Sequence, residues 1–194
     1  MNATAMKTPA MPATIVNGID VDALKGVVDE ISKDPAKGMV EFRVTSAWKG
    51  KTRSEAVVES YSLAGQRIDR RFSMMVDEPL ELLGENTAPN PQEYLMTALN
   101  ACVTVGYVAG AAIRGIRLDS VQVTTEGALD LRGFLGIDPT VKPGYDRIRY
   151  TVRIKGDGTP EQFREIHETV LKTSPNYFNV SQPIAIDADL IVER

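Results

Sequence analysis

The sequence predicts an α+β fold, and the order of its hydrophobic patterns leads to that class. Three segments before residue 77 alternate apolar and polar side chains, as β-strands with one buried face do. A long apolar helix pattern follows, and then two more alternating segments, a second helix and a last alternating segment. This order, βββα–ββαβ, contains hairpins but no repeated βαβ unit, so we expect antiparallel sheets.

Composition narrows the function classes. The 194 residues fit one domain, and a net charge of −4 without a basic run argues against binding nucleic acid. One cysteine excludes an internal disulfide and favours a reducing compartment; no apolar signal sequence is seen, so we expect a cytoplasmic protein. The sequence has no phosphate-binding loop or dinucleotide fingerprint, so we expect no cofactor. It contains one cysteine and one histidine in total, so we expect no metal cluster.

The N-terminal region divides into a tail and a helix. Residues 1–18 are rich in Ala, Met, Thr and Pro, and we expect them to form a flexible tail. Asp20 is a good N-cap for a helix over residues 20–33, which has one apolar stripe and ends at Asp34-Pro35. We therefore expect a single domain over residues 19–194, with its core in residues 39–194.

Three strands are predicted in the first half of the core. Val40 to Trp48 alternates with a period of two, a less regular strand runs from Arg53 to Leu63, and Ile68 to Val76 alternates again. Glycine-containing turns near residues 50 and 65 separate them. We expect an antiparallel three-stranded sheet that leads into the long helix.

The long helix is the segment around which the chain is organised. Asn90 is a good N-cap, Pro91 suits the first helical position, and Glu93 completes a capping box. Residues 94–113 carry no charge, so we expect this helix to be buried on nearly every side. A membrane span is the alternative, but the segment is rich in Ala, Gly, Thr and Asn rather than Leu and Ile, which disfavours it.

The second half repeats the strand and helix patterns. Val121 to Leu131 alternates, with Gly127 as a bulge, and residues 132–144 form an irregular loop. Ile148 to Ile154 is a clean strand, and a second capping box at Thr159 begins the next helix. Ser174-Pro175 ends that helix, and residues 184–192 alternate in a final strand.

Three stretches of the chain resemble the OsmC/Ohr family. They are DEPLELLGENTAPNPQEYLMTALNACVTV, EGALDLRGFLGID and TSPNYFN, and the resemblance covers roughly residues 39–194. It implies an intertwined homodimer in which two sheets wrap around the central helices. It also implies a peroxiredoxin-like activity in the oxidative stress response, in which a pair of cysteines reduces organic hydroperoxides. The first cysteine of that pair matches Cys102.

The sequence departs from this family pattern at the site itself. The resolving cysteine corresponds to Ser174, and a hydroxyl cannot form the disulfide that closes the usual cycle. The assisting acid corresponds to Gln92, with Glu93 one residue further on. The activating arginine has no certain match, and Arg70 is the candidate because it lies between apolar residues of its strand. The candidate catalytic residues are therefore Cys102, Arg70, Glu93 and Gln92.

Helix geometry constrains how Cys102 could react. It lies twelve residues past the N-cap, about 18 Å along the axis, where the helix dipole contributes little. Reactivity therefore needs a cation from elsewhere. Glu93 is nine residues earlier, about 13 Å of rise and half a turn away, so it cannot be a direct partner within one helix. If there is a site, the geometry favours one at a two-fold interface.

Two functions remain open after this reading. In the first, Cys102 reduces hydroperoxides in a one-cysteine mode with an external thiol as reductant. In the second, the protein is not catalytic, Cys102 is a small core residue, and a small apolar ligand binds at the dimer interface. His167, the only histidine, is interpreted as a partly buried structural residue.

Overall fold

A computed structural model describes residues 14–193 of the chain. Within this range the protein is α+β, as predicted, with three antiparallel sheets, of two, four and two strands, and a long central helix. Two short 3-10 turns lie at Pro35–Gly38 and Leu80–Leu82. The regular elements are β1 (Ile15–Val16), β2 (Ile19–Asp20), α1 (Val21–Lys33), β3 (Val40–Phe42), β4 (Thr45–Trp48), β5 (Ser54–Leu63), β6 (Gln66–Val76), α2 (Pro91–Ile113), β7 (Leu118–Gly127), α3 (Leu131–Phe134), β8 (Ile148–Gly156), α4 (Pro160–Thr173) and α5 (Pro175–Ser181).

The N-terminal sheet, which we define as β3 to β6, has β5 at its centre. Strand β6 pairs with one edge of β5, and β3 and β4 pair in turn with the other edge, all antiparallel. The strand predicted from Val40 to Trp48 is therefore interrupted at residues 43–44. The interruption lies opposite residues 58–60 of β5, where the register with β6 shifts at a bulge.

The helical half, which we define as α2, β7, β8, α4 and α5, contains the main core. Helix α2 packs on β7, α4 and α5, and β7 pairs antiparallel with β8. Glycines let α4 approach closely, because a Cβ on Gly106 would lie 2.9 Å from Val170 and one on Gly110 would lie 3.1 Å from Ile166. By length and composition α2 could cross a membrane, but its glycine face is occupied by α4.

The prediction that α2 is buried on nearly every side is wrong for the single chain. Its buried residues face α4 and β7, whereas Leu95, Val105 and Ile113 are 40%, 66% and 47% exposed. The reason is that the N-terminal sheet of the same chain does not cover this side of the helix. An apolar helix face is left open by the fold of one protomer.

Residues 15–18, which the sequence analysis assigned to the flexible tail, belong to an ordered hairpin. Strands β1 and β2 form a small hairpin whose turn residues, Asn17 and Gly18, both have positive φ. Asn-Gly is the turn sequence that such hairpins prefer. The Asn17 side chain also donates to the carbonyl of Ile116 and accepts from the N–H of Leu118, both at 2.9 Å. Residues 1–13 lie outside the described residues.

The strand predicted from Val121 to Leu131 ends earlier, at Gly127. There a side chain would collide with Tyr145, because a Cβ on Gly127 would lie 2.9 Å from the ring. Asp130 then caps the short helix α3 by accepting from the N–H of Arg132. The register shift of β7 lies near its start, at residues 118–120, rather than at Gly127.

The C-terminal region also differs from the prediction. Ser174-Pro175 ends α4 but also begins α5, which the sequence analysis did not predict. Residues 183–193 form no strand in the described chain, although their apolar and polar residues alternate. Ile186 and Leu190 are 83% and 88% exposed. A strand needs a sheet edge for its hydrogen bonds, and this segment meets none within its own protomer.

Candidate functional site

Cys102 lies on α2 and faces the junction between α4 and α5. Ser174 stands at that junction, where its backbone N–H donates to the carbonyl of Val170 and its hydroxyl caps α5 by accepting from the N–H of Tyr177. The same hydroxyl donates to the Cys102 sulfur across 3.3 Å. Ser174 is 6% exposed and Cys102 is half-buried. Within residues 14–193, Ser174 is the only side chain that hydrogen-bonds to this thiol.

This contact is held in place from both sides of α2. Asn176 of α5 donates its side-chain amide to the carbonyl of Ala98, 2.9 Å away, one turn before Cys102. On the opposite side, Thr125 of β7 hydrogen-bonds to Asn100. The position of α5 relative to α2 is thus fixed by polar bonds close to the thiol, so Ser174 and Cys102 are held together by the fold.

Arg70 lies on β6 of the N-terminal sheet. Its guanidinium group stands 4.9 Å from the ring centre of Tyr61 and 5.6 Å from that of Phe72. Such cation–π contacts hold the arginine on the sheet surface. Within the described chain, no hydrogen bond or ion pair joins Arg70 to Cys102, so one protomer does not assemble the predicted thiol–arginine pair.

Glu93 and Gln92 have different environments at the start of α2. The Glu93 carboxylate accepts from the N–H of Asn90 at 2.8 Å, while the Asn90 side chain accepts from the N–H of Glu93 at 2.9 Å. Glu93 is therefore used as a helix cap. Gln92 instead lines two cavities, one of about 600 Å³ and one of about 260 Å³. Neither residue bonds to Cys102 in the described chain.

The larger of these cavities lies beside the thiol site without containing it. Leu95 and Leu99 of α2, Tyr150 of β8 and Tyr177 of α5 contribute to its wall, and Cys102 is not among the lining residues. Tyr177 connects the two places, because its N–H is the group that Ser174 accepts from. The tyrosines were missed in the sequence analysis, since each looks there like an ordinary strand or helix residue.

A second polar cluster lies further along α2. The hydroxyl of Tyr107, a residue that is 2% exposed, hydrogen-bonds to Nδ1 of His167 on α4. Burial raises the pKa of Tyr107 well above its usual range, and burial raises the pKa of Tyr150 as well. His167 as a whole residue is exposed, but its Nδ1 bonds to Tyr107 and its ring centre lies 6.1 Å from that of Tyr107 and 6.5 Å from that of Tyr150.

The segment before α2 is organised by a buried carboxylate. Asp77 is 0% exposed and accepts five hydrogen bonds, from Thr52, from the N–H groups of Glu78 and Glu85, and from both the N–H and the hydroxyl of Thr87. Burial alone would raise the pKa of Asp77, but these bonds lower it far below its ordinary value. The sequence marks this residue only as part of the DEP motif.

Taken together, the fold and the site define a class of protein. It has a long central helix with a cysteine at its middle, a second helix that ends against that cysteine, and a detached antiparallel sheet. The profile of the family described as OsmC-like protein matches residues 84–189, more than half of the chain. The protein therefore belongs to the OsmC-like family. Curated protein sequences gave no match.

Solved structures agree with this fold. An OsmC-like protein from Mycoplasma pneumoniae has a TM-score of 0.57 at 15% identity, covering 73% of this chain and 87% of its own. A protein from Psychrobacter arcticus 273-4, described as an osmotic stress induced and detoxification response protein, has a TM-score of 0.53 at 13% identity over 69% and 84% of the two chains. At these identities the likeness shows the fold alone.

Proposed function

We propose that this protein reduces hydroperoxides through Cys102 in a one-cysteine mode. The observation that carries the proposal is the contact between Cys102 and Ser174, in a chain that has no second cysteine. The family resemblance places a resolving cysteine at this position, and here a serine hydroxyl stands 3.3 Å from the thiol sulfur. A hydroxyl can hydrogen-bond to the sulfur but cannot resolve a sulfenic acid, so an external thiol must do so.

The proposed reaction has three balanced steps. The Cys102 thiolate attacks the terminal oxygen of the hydroperoxide, the O–O bond breaks, and the alkoxide leaves as an alcohol after taking a proton, which leaves a sulfenic acid. An external thiol attacks the sulfenic sulfur, and water leaves as a mixed disulfide forms. A second external thiol attacks that disulfide, which releases Cys102 and gives the oxidised form of the reductant.

A homodimer completes the site in this proposal. The exposed side of α2 and the exposed apolar face of the N-terminal sheet belong to the same chain but do not cover each other. In a two-fold pair each sheet covers the partner's helix, which brings Arg70 toward the other protomer's thiol and gives Cys102 the cation that its own helix lacks. Gln92 and Glu93, at the start of α2, contribute polar groups near that interface.

The test is hydroperoxide consumption measured with several thiol donors. We expect activity that needs added thiol in the wild type and none in Cys102→Ser. Without added thiol, intact-mass spectrometry should show whole-oxygen increments on Cys102, because no internal disulfide can form. Ser174→Cys is the matched variant. Under the same treatment its mass should instead fall by two hydrogens, because the new cysteine forms a disulfide with Cys102.

The alternative function is binding of a small apolar ligand at the dimer interface. It is favoured by the cavity of about 600 Å³ at the start of α2, which does not include Cys102. The same mass experiment separates the two functions. If Cys102 stays unmodified in the folded protein under conditions that oxidise a free-cysteine control, the catalytic proposal is wrong and the cavity is the site to study.

A further inference from the structure

The smaller cavity at the start of α2 contains a carboxylate that the proposed reaction does not use. Glu78 follows the buried Asp77, and its Oε2 atom is buried with no hydrogen-bond partner in the described chain. Glu78 also lines the cavity of about 260 Å³, which we call the Glu78 cavity. Glu78 as a whole is half-buried, so only this one oxygen is withdrawn from solvent. Leaving a buried oxygen unpaired is costly, so a cationic group that pairs with the Glu78 carboxylate would stabilise this site.

The remainder of this cavity is mostly apolar. Its wall consists of side chains from the segment before α2, from the first turn of α2 and from the segment between β7 and β8. None of the lining residues in the described chain is a lysine or arginine. The volume is close to the lower limit for small-molecule sites. The apolar lining residues are Leu82, Leu129, Leu131, Phe134 and Pro143.

The backbone of Glu78 is fixed by its neighbours. Its N–H donates to Asp77 at 2.9 Å, and its carbonyl accepts from the N–H of Asn86 at 3.1 Å. Gly84 packs directly on it, since a Cβ there would lie only 1.7 Å from the Glu78 carbonyl oxygen. The carboxylate is therefore carried by a rigid segment, which lowers the cost of ordering it for a ligand.

We propose that the Glu78 cavity binds a small primary amine with an apolar body. An ammonium group supplies the missing positive charge and three N–H donors. One donor pairs with Glu78, and the amide oxygen of Gln92 and the hydroxyl of Tyr145, both on the cavity wall, accept the others. A neutral alcohol would offer one donor and no charge, so the cavity should discriminate between the two.

The full-length protein is titrated with phenethylamine and with its neutral counterpart 2-phenylethanol by isothermal titration calorimetry. We expect saturable binding of the amine, about tenfold to a hundredfold tighter than the alcohol, because a charged hydrogen bond replaces a neutral one. Equal binding of both compounds, or no saturable heat with the amine at millimolar concentration, would overturn the proposal.

Three variants locate the binding. Glu78→Gln should lose the preference for the amine, while Glu81→Gln, an exposed glutamate three residues on, should keep it. Phe134→Ala should weaken both compounds alike and retain the preference, which keeps the proposal testable if Glu78→Gln fails to fold. If Glu78→Gln binds the amine as the wild type does, the proposal is wrong. If it weakens self-association instead, the partner of Glu78 is a cation of a second copy, and the amine site is also ruled out.

Discussion

The helical half and the N-terminal sheet differ in how far their large apolar side chains are exposed to solvent. In the helical half, Val103 and Ile166 are 0% exposed and Val170 is 2% exposed. In the sheet, Phe42, Trp48 and Phe72 are 69%, 76% and 58% exposed. The four strands of the sheet pair in antiparallel ladders, but the apolar side chains on its face are not covered within the chain.

This difference indicates what the chain lacks by itself. A sheet is hydrophobic on one face and must bury that face against another layer. The layer available is the exposed side of α2, with Leu95 and Val105, yet the sheet of the same protomer does not reach it. The comparison therefore separates a core that one chain completes from a sheet face that a second chain covers in the proposed dimer.

The largest expected effect is a loss of stability on truncating a side chain in the core of the helical half. Ile166 is fully buried between α2 and α4, beside Gly110. Ile166→Ala should lower the free energy of unfolding by about 2–5 kcal/mol, because it removes buried methylene groups and leaves a cavity. Urea unfolding measures this loss. A loss below about 1 kcal/mol would show that this region is not the core.

Phe72→Ala is the matched change in the N-terminal sheet. In a single chain, Phe72 is more than half exposed, so truncation would cost little. In the proposed dimer the same side chain is covered, and the variant should dissociate at higher protein concentration than the wild type. Sedimentation analysis over a concentration series checks this. A wild-type protein that stays a folded monomer at micromolar concentration would contradict the two-chain layer.

The next effect concerns the segment that connects the two regions. Because five hydrogen bonds lower the folded-state pKa of Asp77 below its ordinary value of 3.8, its contribution to stability is complete above that value. It is lost as the pH falls further, since the unfolded chain then binds more protons. Asp77→Asn should be less stable than the wild type at pH 7, and the gap should shrink below about pH 4.

Urea unfolding at a series of pH values checks this prediction. Asp69→Asn, a change at an exposed carboxylate of the N-terminal sheet, is the control. A gap between Asp77→Asn and the wild type that stays constant down to pH 2 would show that the Asp77 carboxylate is not the group that titrates.

Local signals in the sequence predicted the fold well where they agree with packing in one chain. Both capping boxes, at Asn90 and Thr159, form as predicted, and the strand predicted from Ile148 to Ile154 is present. The prediction failed at residues 183–193, where alternation is real but no partner edge exists in the protomer. It also failed after Gly127, where the pairing of β7 with β8 ends and Asp130 caps the short helix α3 instead.

The candidate site was predicted from helix spacing and the family resemblance rather than from periodicity. Helix spacing placed Cys102 far from its own cap, and the family resemblance paired it with Ser174 across 72 positions, which periodicity cannot do. The roles of Arg70, Gln92 and Glu93 stay predictions, because they depend on a second chain. The burial of Asp77 and of one Glu78 oxygen was missed, since nothing local in the sequence distinguishes a buried carboxylate oxygen from an exposed one in a polar segment.

The smallest expected effect tests the contact that connects α2 to the end of α4. If the Ser174 hydroxyl donates to the Cys102 sulfur, it stabilises the thiolate, which is the form that iodoacetamide alkylates. Ser174→Ala should therefore slow alkylation at neutral pH by about two- to fivefold, the value of one weak hydrogen bond.

Ser181→Ala removes a serine hydroxyl from the exposed end of α5 and should leave the rate unchanged. Because Ser174 also caps α5, the rates are compared at a temperature where thermal unfolding shows each variant folded. An unchanged rate in Ser174→Ala would mean that the hydroxyl only caps the helix, and the proposed stabilisation of the thiolate would then need Arg70 of the second protomer alone.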